Sequence, residues 1–177
     1  MKRIVILLLV AVGLVGCSVD PMVYKNNQPS FRIEDYFAGH VRAWGMVQDR
    51  SGKVTRRMVV DLTGRREGDD FVLHEQFRYL DGKTETRDWH IIRVDAHHYI
   101  GRAADIVGVA HGEAYGNALH WHYTLKVPVD GETYELKFND WMILHEDGVL
   151  LNRASFSKFG FHLGDVTIAF RKQDDGE

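Results

Sequence analysis

The chain has a single cysteine, Cys17, so no internal disulfide can staple its fold. It has only three prolines, two of them within the first thirty residues, and nothing that reads as an amphipathic helix of four or more turns. Basic and acidic side chains are interspersed with no cationic stripe, which removes the electrostatic footprint of nucleic-acid binding. Catalytic signatures are missing too: no Gly-x-Ser-x-Gly elbow, no phosphate loop, no His-Glu-x-x-His, and no thiol beyond Cys17. Ser155 and Ser157 lie near Arg153 and Lys158, but no aligned base is indicated. We therefore assign no catalytic residue, no cofactor and no metal.

What is present begins at the amino terminus. Lys2 and Arg3 precede an apolar run from Ile4 to Val15, and the segment closes on Leu14-Val15-Gly16-Cys17. The run is too short for a membrane span and reads as a secretory signal. Its ending resembles the bacterial lipobox, in which the peptide is cut before a diacylated cysteine; the alternative is an ordinary signal with an incidental cysteine. Residues 1–16 are thus expected to be a signal peptide and Cys17 the lipid attachment. Three acyl chains exceed the two signals needed for stable anchoring. Ser18 permits sorting to the outer membrane under the enterobacterial rule, so the expected location is the cell envelope, on the periplasmic face of that membrane. Removal of Lys2 and Arg3 lowers the 22 basic side chains to 20 against 25 acidic ones, and the formal charge falls from −3 to −5. About 160 residues remain, enough for one domain with a proper core.

Residues 17–30 are polar and read as the acylated cysteine and a flexible tether. A short helical turn is expected over 30–37, with Ser30 as N-cap and Gly39 ending it. From there the period is two to the end of the chain. Strands are expected near 40–49, 54–64, 70–80, 84–95, 97–104, 106–115, 118–129, 132–145, 149–157 and 165–172. Turns such as Asp81-Gly82, Asp130-Gly131 and Asp147-Gly148 separate them. Nine or ten sequential hairpin strands are best satisfied by an all-β, single antiparallel up-and-down barrel over residues 31–177, with a β-sandwich as the other solution. Charges on both faces of several strands argue against a membrane-spanning barrel.

Two strands carry a carboxylate on their more apolar face. Glu75 lies with Phe71, Leu73, Phe77 and Tyr79, and Asp140 with Leu136, Phe138, Met142 and Leu144. A buried carboxylate without a partner is neutralised or costs several kcal/mol. Arg42, Arg57, Arg87 and Arg153 are available as partners. If the Asp147-Gly148 turn is tight, paired residue numbers sum to about 295, with Asp140 near Ser155, Asn152 near Ile143 and Arg153 within reach of Asp140. An Asp140–Arg153 ion pair is expected. Either it pins strand register, or it belongs to a cavity in which Arg153 meets a head group and Trp141 and Phe138 form wall or barrel-closing residues. His120 and His122 share one face about 7 Å apart. That spacing can chelate zinc, but Thr124 and Lys126 continue the face, which reads as a solvated polar surface.

Several stretches together resemble a known family. They are Tyr36-Phe37-Ala38-Gly39 with Ala43-Trp44-Gly45, Asp49-Arg50-Ser51-Gly52, Glu75 to Gly82, Arg87-Asp88-Trp89, Tyr99 to Asp105, Gly116-Asn117-Ala118, Asn139-Asp140-Trp141-Met142, and Asn152-Arg153-Ala154 with Ser157 to Gly160. The resemblance is to the proteobacterial lipoproteins of domain-of-unknown-function family 3833. It implies a lipocalin-like barrel and, in some genomes, neighbourhood with enzymes that modify membrane fatty acids. The wider lipocalin Gly-x-Trp mark is not matched, since Gly39 and Trp44 stand five apart. The expectation is a membrane-anchored barrel that binds a fatty-acyl or phospholipid ligand. The alternatives are a filled barrel docking other envelope proteins, or a lipid-modifying enzyme using Asp140 or Glu75 as acid or base.

Overall fold

The computed structural model describes residues 19–173; the expected signal segment and Cys17, the expected lipid attachment, lie outside that range. Ten strands form one closed antiparallel barrel. They are β1 (Gly39–Asp49), β2 (Val54–Glu67), β3 (Asp70–Tyr79), β4 (Thr84–Arg93), β5 (His98–Arg102), β6 (Ala110–Tyr115), β7 (Ala118–Val129), β8 (Glu132–Leu144), β9 (Leu150–Lys158) and β10 (Phe161–Lys172). Each pairs with its sequence neighbours, and β1 closes on β10 with Val41 opposite Lys172 and Asp49 opposite Gly164. Closure leaves no free edge, which is why the up-and-down solution prevails over the sandwich. Among the described residues no helix is long and apolar enough to cross a membrane. The outer wall carries ion pairs such as Arg78–Asp61 (2.7 Å) and Arg65–Glu67 (2.6 Å).

The period-two pattern sets the inner face. Along β2, Met58, Val60 and Leu62 are buried while the residues between them are more exposed. One end of the barrel is plugged by α1 (Ile33–Tyr36) and its flanks. Phe31, Ile33, Tyr36 and Phe37 are all buried, and the Tyr36 hydroxyl donates to the carbonyls of Gly148 (3.0 Å) and Phe170 (3.1 Å). The expected Ser30 cap is absent: Arg32 is the N-cap and makes no side-chain capping bond. Glu34 turns inward instead, accepting from Arg93 (3.2 Å) and the Tyr99 hydroxyl (3.0 Å).

The tether expectation also needs correction. Pro21–Tyr24 form a 3-10 turn capped by Asp20, Tyr24 packs edge-on against Trp141 (5.8 Å), and the Phe31 amide donates to the Gly116 carbonyl (2.7 Å). Gly116 has φ +54°, and a Cβ there would collide with the Tyr24 carbonyl, so a side chain would push this segment off the wall. Burial of Pro21, Phe31 and the Tyr24 contact outweighs the polar composition that suggested a free linker.

Strands β5 and β6 are shorter than their expected ranges. The connection between them crosses to β7 instead: Ile106 bridges Leu125, Val107 donates to the Thr124 carbonyl (2.9 Å), and Lys126 donates to that of Asp105 (2.8 Å). This detour carries the Asp105 side chain towards the barrel interior.

Candidate functional site

The end opposite α1 is open, ringed by the turns after β1, β3, β7 and β9. Beneath it lies a cavity of about 790 Å³. Its wall is mainly aliphatic, with an aromatic side where β3, β4, β7, β8 and β9 each place rings at inward positions. Tyr123 stacks on Phe138 (5.1 Å between centroids) and Phe138 on Phe156 (5.5 Å), while Trp89 meets Trp121 (5.9 Å) and Tyr123 (5.8 Å) edge-on. Phe77 and Tyr79 continue the wall to the mouth. There Arg56 lies over the Tyr79 ring at 4.2 Å, and the Tyr79 hydroxyl donates to Glu85 (2.8 Å). Phe159, in the turn after β9, is 87% exposed at this rim, and Phe161 and Leu80 are exposed as well.

Two polar clusters sit inside this wall. In the first, Arg87 of β4 faces Glu75 of β3 directly across the ladder. Its Nε donates to both Asp105 oxygens (3.1 and 3.0 Å), its Nη2 to Asp105 Oδ2 (2.8 Å) and its Nη1 to Glu75 Oε2 (3.4 Å). Burial pushes the Glu75 carboxyl up, against the pull of Arg87. Although burial opposes its charge, Arg87 is held above the ordinary arginine value by Glu75 and Asp105.

In the second cluster Asp140 of β8 is 5% exposed and Asn152 of β9 is 3% exposed. The Asn152 side-chain amide donates to Asp140 Oδ1 and to the Trp141 carbonyl (3.2 Å), and the Tyr123 hydroxyl donates to Asp140 Oδ2 (3.3 Å). Burial pushes the Asp140 carboxyl up to about 7; the bonds from Asn152 and Tyr123 hold it lower than burial alone would, and the charge of Glu75 adds to the rise. Tyr123 is raised as well, mainly by burial.

The expected Asp140–Arg153 ion pair does not form. The β8–β9 loop has three residues, Glu146 to Gly148, between His145 and Val149, which share a backbone bond of 2.9 Å. Gly148, at φ +80°, supplies the left-handed step this loop requires. Paired numbers therefore sum to 294: Asp140 faces Ala154, Trp141 faces Arg153 and Met142 faces Asn152. One residue in the loop exchanges the faces of a whole strand. Asp140 and Asn152 share the interior, whereas Arg153 points outward, 76% exposed, 3.7 Å from Asp165. Trp141 is also outside, stacked on His120 (4.3 Å) and packed by Tyr24. Of the expected site residues, Glu75, Asp140, Asn152 and Phe138 line the cavity, and Arg153 and Trp141 do not.

Arg87 takes the place expected of Arg153. The only sequence signal for it was its presence among the available arginines: a two-residue Asp81-Gly82 turn would pair numbers summing to 163 and set Asp88 opposite Glu75, whereas the three-residue loop that forms sums to 162 and sets Arg87 there. Asp105 and Tyr123 carried no such signal. On the outer wall His111, His120 and His122 come together, with 5.5 and 5.6 Å between ring centroids. His120 Nε2 lies 2.6 Å from Asn139 Oδ1, and no group of three or more suitable side chains among the described residues could hold a metal.

A family model described as a protein of unknown function (DUF3833) matches residues 11–172. No curated protein matches the chain. Among solved structures, the crystal structure of Rv2717c from M. tuberculosis is similar, at 14% identity and a TM-score of 0.54, covering 84% of this chain and 100% of that one. At such identity the likeness shows the fold alone.

Proposed function

The chain belongs to the DUF3833 family, whose function is not defined, and from that premise we propose that it is a membrane-anchored barrel that takes up a lipid-like ligand, fatty-acyl or phospholipid, through its open end. The observation that carries this reading is the cavity. Its volume of about 790 Å³ falls within the range of ligand pockets, roughly 300–1,000 Å³. A filled barrel serving only as a docking body does not accord with such an interior. The apolar wall suits an acyl chain, which gains about 25 cal/mol per Å² of surface withdrawn from water. Acylation at Cys17 would hold the protein at the periplasmic face of the outer membrane, beside its ligand source.

The test is binding by a soluble form with Cys17 replaced by alanine, followed by native mass spectrometry and displacement of a fluorescent fatty-acyl probe. Ala154 is buried and lines the cavity opposite Asp140, so Ala154→Trp should fill the interior and abolish binding. Undiminished binding by the folded Ala154→Trp protein would refute the cavity as the site. So would repeated recovery of an empty protein that ignores added lipids.

A second reading draws on one specific observation. Asp140, titrating at about 7 inside an open cavity, is poised to give or take a proton near neutrality. It favours an acid–base step on a bound lipid, such as isomerisation or hydration of a double bond. Incubation with unsaturated fatty acids, with product loss in Asp140→Asn, would establish it.

A further inference from the structure

Among the described residues, the cavity wall below the mouth carries one guanidinium, Arg87, and three carboxylates, Glu75, Asp105 and Asp140, and this balance bears on which end of a ligand enters first. Arg87 is clamped by Asp105 through three contacts of 2.8–3.1 Å and by Glu75 at 3.4 Å. Its faces lie against Phe77 (5.3 Å) and Trp89 (6.0 Å). Its charge is already matched by two acids, so an entering carboxylate or phosphate would have to displace one of them. Such an exchange leaves a buried acid unpaired and costs several kcal/mol.

The second cluster is an array of acceptors. Asn152 spends its amide hydrogens on Asp140 and the Trp141 carbonyl, and Tyr123 spends its hydroxyl hydrogen on Asp140. An ionised carboxylate has about four acceptor positions, of which these bonds use two. What the cluster presents to the cavity is therefore the remaining lone pairs of Asp140, the Tyr123 oxygen and the Asn152 carbonyl. Among the described residues Asp140 has no cationic partner within ion-pair distance. Cations lining the cavity beyond Arg87 are Arg56, Lys83 and Lys126, all at the mouth.

The geometry points to a ligand whose inner end carries a hydrogen-bond donor, a hydroxyl or an ammonium, seated against Asp140, with its apolar chain along the apolar wall and any anionic end left at the mouth. This rests on the binding reading above and narrows its ligand class. It reverses the arrangement expected from the sequence, in which an inward arginine holds an anionic head group.

Dodecylamine, dodecanol and dodecanoate share one chain and differ only in the end group. Each is to be titrated by calorimetry into the soluble Cys17→Ala protein, below its micelle concentration and near pH 8. The amine and the alcohol should bind at least about tenfold more tightly than dodecanoate. The advantage of the amine should collapse in Asp140→Asn, whose folding is checked by circular dichroism. Dodecanoate binding as tightly as the others overturns the orientation and leaves the binding reading intact. An amine advantage that survives in Asp140→Asn also overturns the role of Asp140. Failure of all three to bind, alongside a fluorescent acyl probe that does not bind either, overturns both readings.

Discussion

Replacing Asp140 by asparagine should change how stability depends on pH. The folded state raises this carboxyl from 3.8 to about 7. A raised acid pKa means that the folded chain holds its proton where the unfolded chain has lost it. Its stabilising contribution is whole below about pH 4 and is lost as pH rises through 7. The full span corresponds to roughly 4 kcal/mol, at about 1.36 kcal/mol for each factor of ten in proton affinity. About half of that has gone by pH 5.5, so between pH 5.5 and 8.5 the parent protein should lose about 2 kcal/mol from this group alone. Glu75, raised by burial in the same sense, adds to the trend. Tyr123 and Asn152, which donate to the same carboxyl, do not themselves ionise over this window: burial raises the Tyr123 hydroxyl, and Asn152 carries no titratable group. Asparagine keeps the shape and an acceptor for Asn152 but cannot ionise. Urea unfolding of parent and Asp140→Asn at the two pH values should show the variant gaining about 2 kcal/mol relative to the parent on going to the higher one. An equal difference between the two proteins at both pH values would refute the reasoning, because it would mean that Asp140 titrates alike in the folded and unfolded chains.

Arg87→Met should leave Glu75 and Asp105 facing one another without their counter-charge, at a cost of about 3–5 kcal/mol in urea unfolding. A second change, Glu75→Gln, should recover part of it; a loss under about 1 kcal/mol would show that water reaches the cluster. Gly112→Ala would drive a Cβ into the Trp121 indole and should lower stability by about 1–3 kcal/mol, read as a fall in melting temperature with the near-ultraviolet tryptophan signal altered. Trp141→Ala should cost about 1 kcal/mol through the lost Tyr24 and His120 contacts and leave acyl-probe affinity unchanged, since Trp141 lies outside the cavity; a clear fall in affinity would return it to the wall.

The strands were legible because alternation is a local property. A residue's neighbours two positions away in the chain share its face, so the inward set of β8, from Leu136 to Leu144, can be read without knowing what it packs against. Hairpin turns are local too, and sequential hairpins imply neighbouring strands, so the up-and-down order was legible together with closure. Glu75 and Asp140 stood out for the same reason, as carboxylates at inward positions.

Pairing across strands is another matter, since it depends on loop length to the single residue. Reading Asp147-Gly148 as a two-residue turn placed Arg153 on the face of Asp140, and the three-residue loop that forms puts it in solvent. The polar partners of the interior were beyond reach for a different reason. Asp105 arrives on a connection that skips β6 to bridge β7, and Tyr123 meets Asp140 only because β7 and β8 stand side by side with both side chains turned inward. The sequence by itself determined the ten strands, their order and which side chains alternate to one face, all properties of a few consecutive residues. Only the closed tertiary structure decided that the barrel is hollow and that its arginine is already paired. Both follow from how side chains on separate strands fill a shared volume, and no single stretch of chain contains that information.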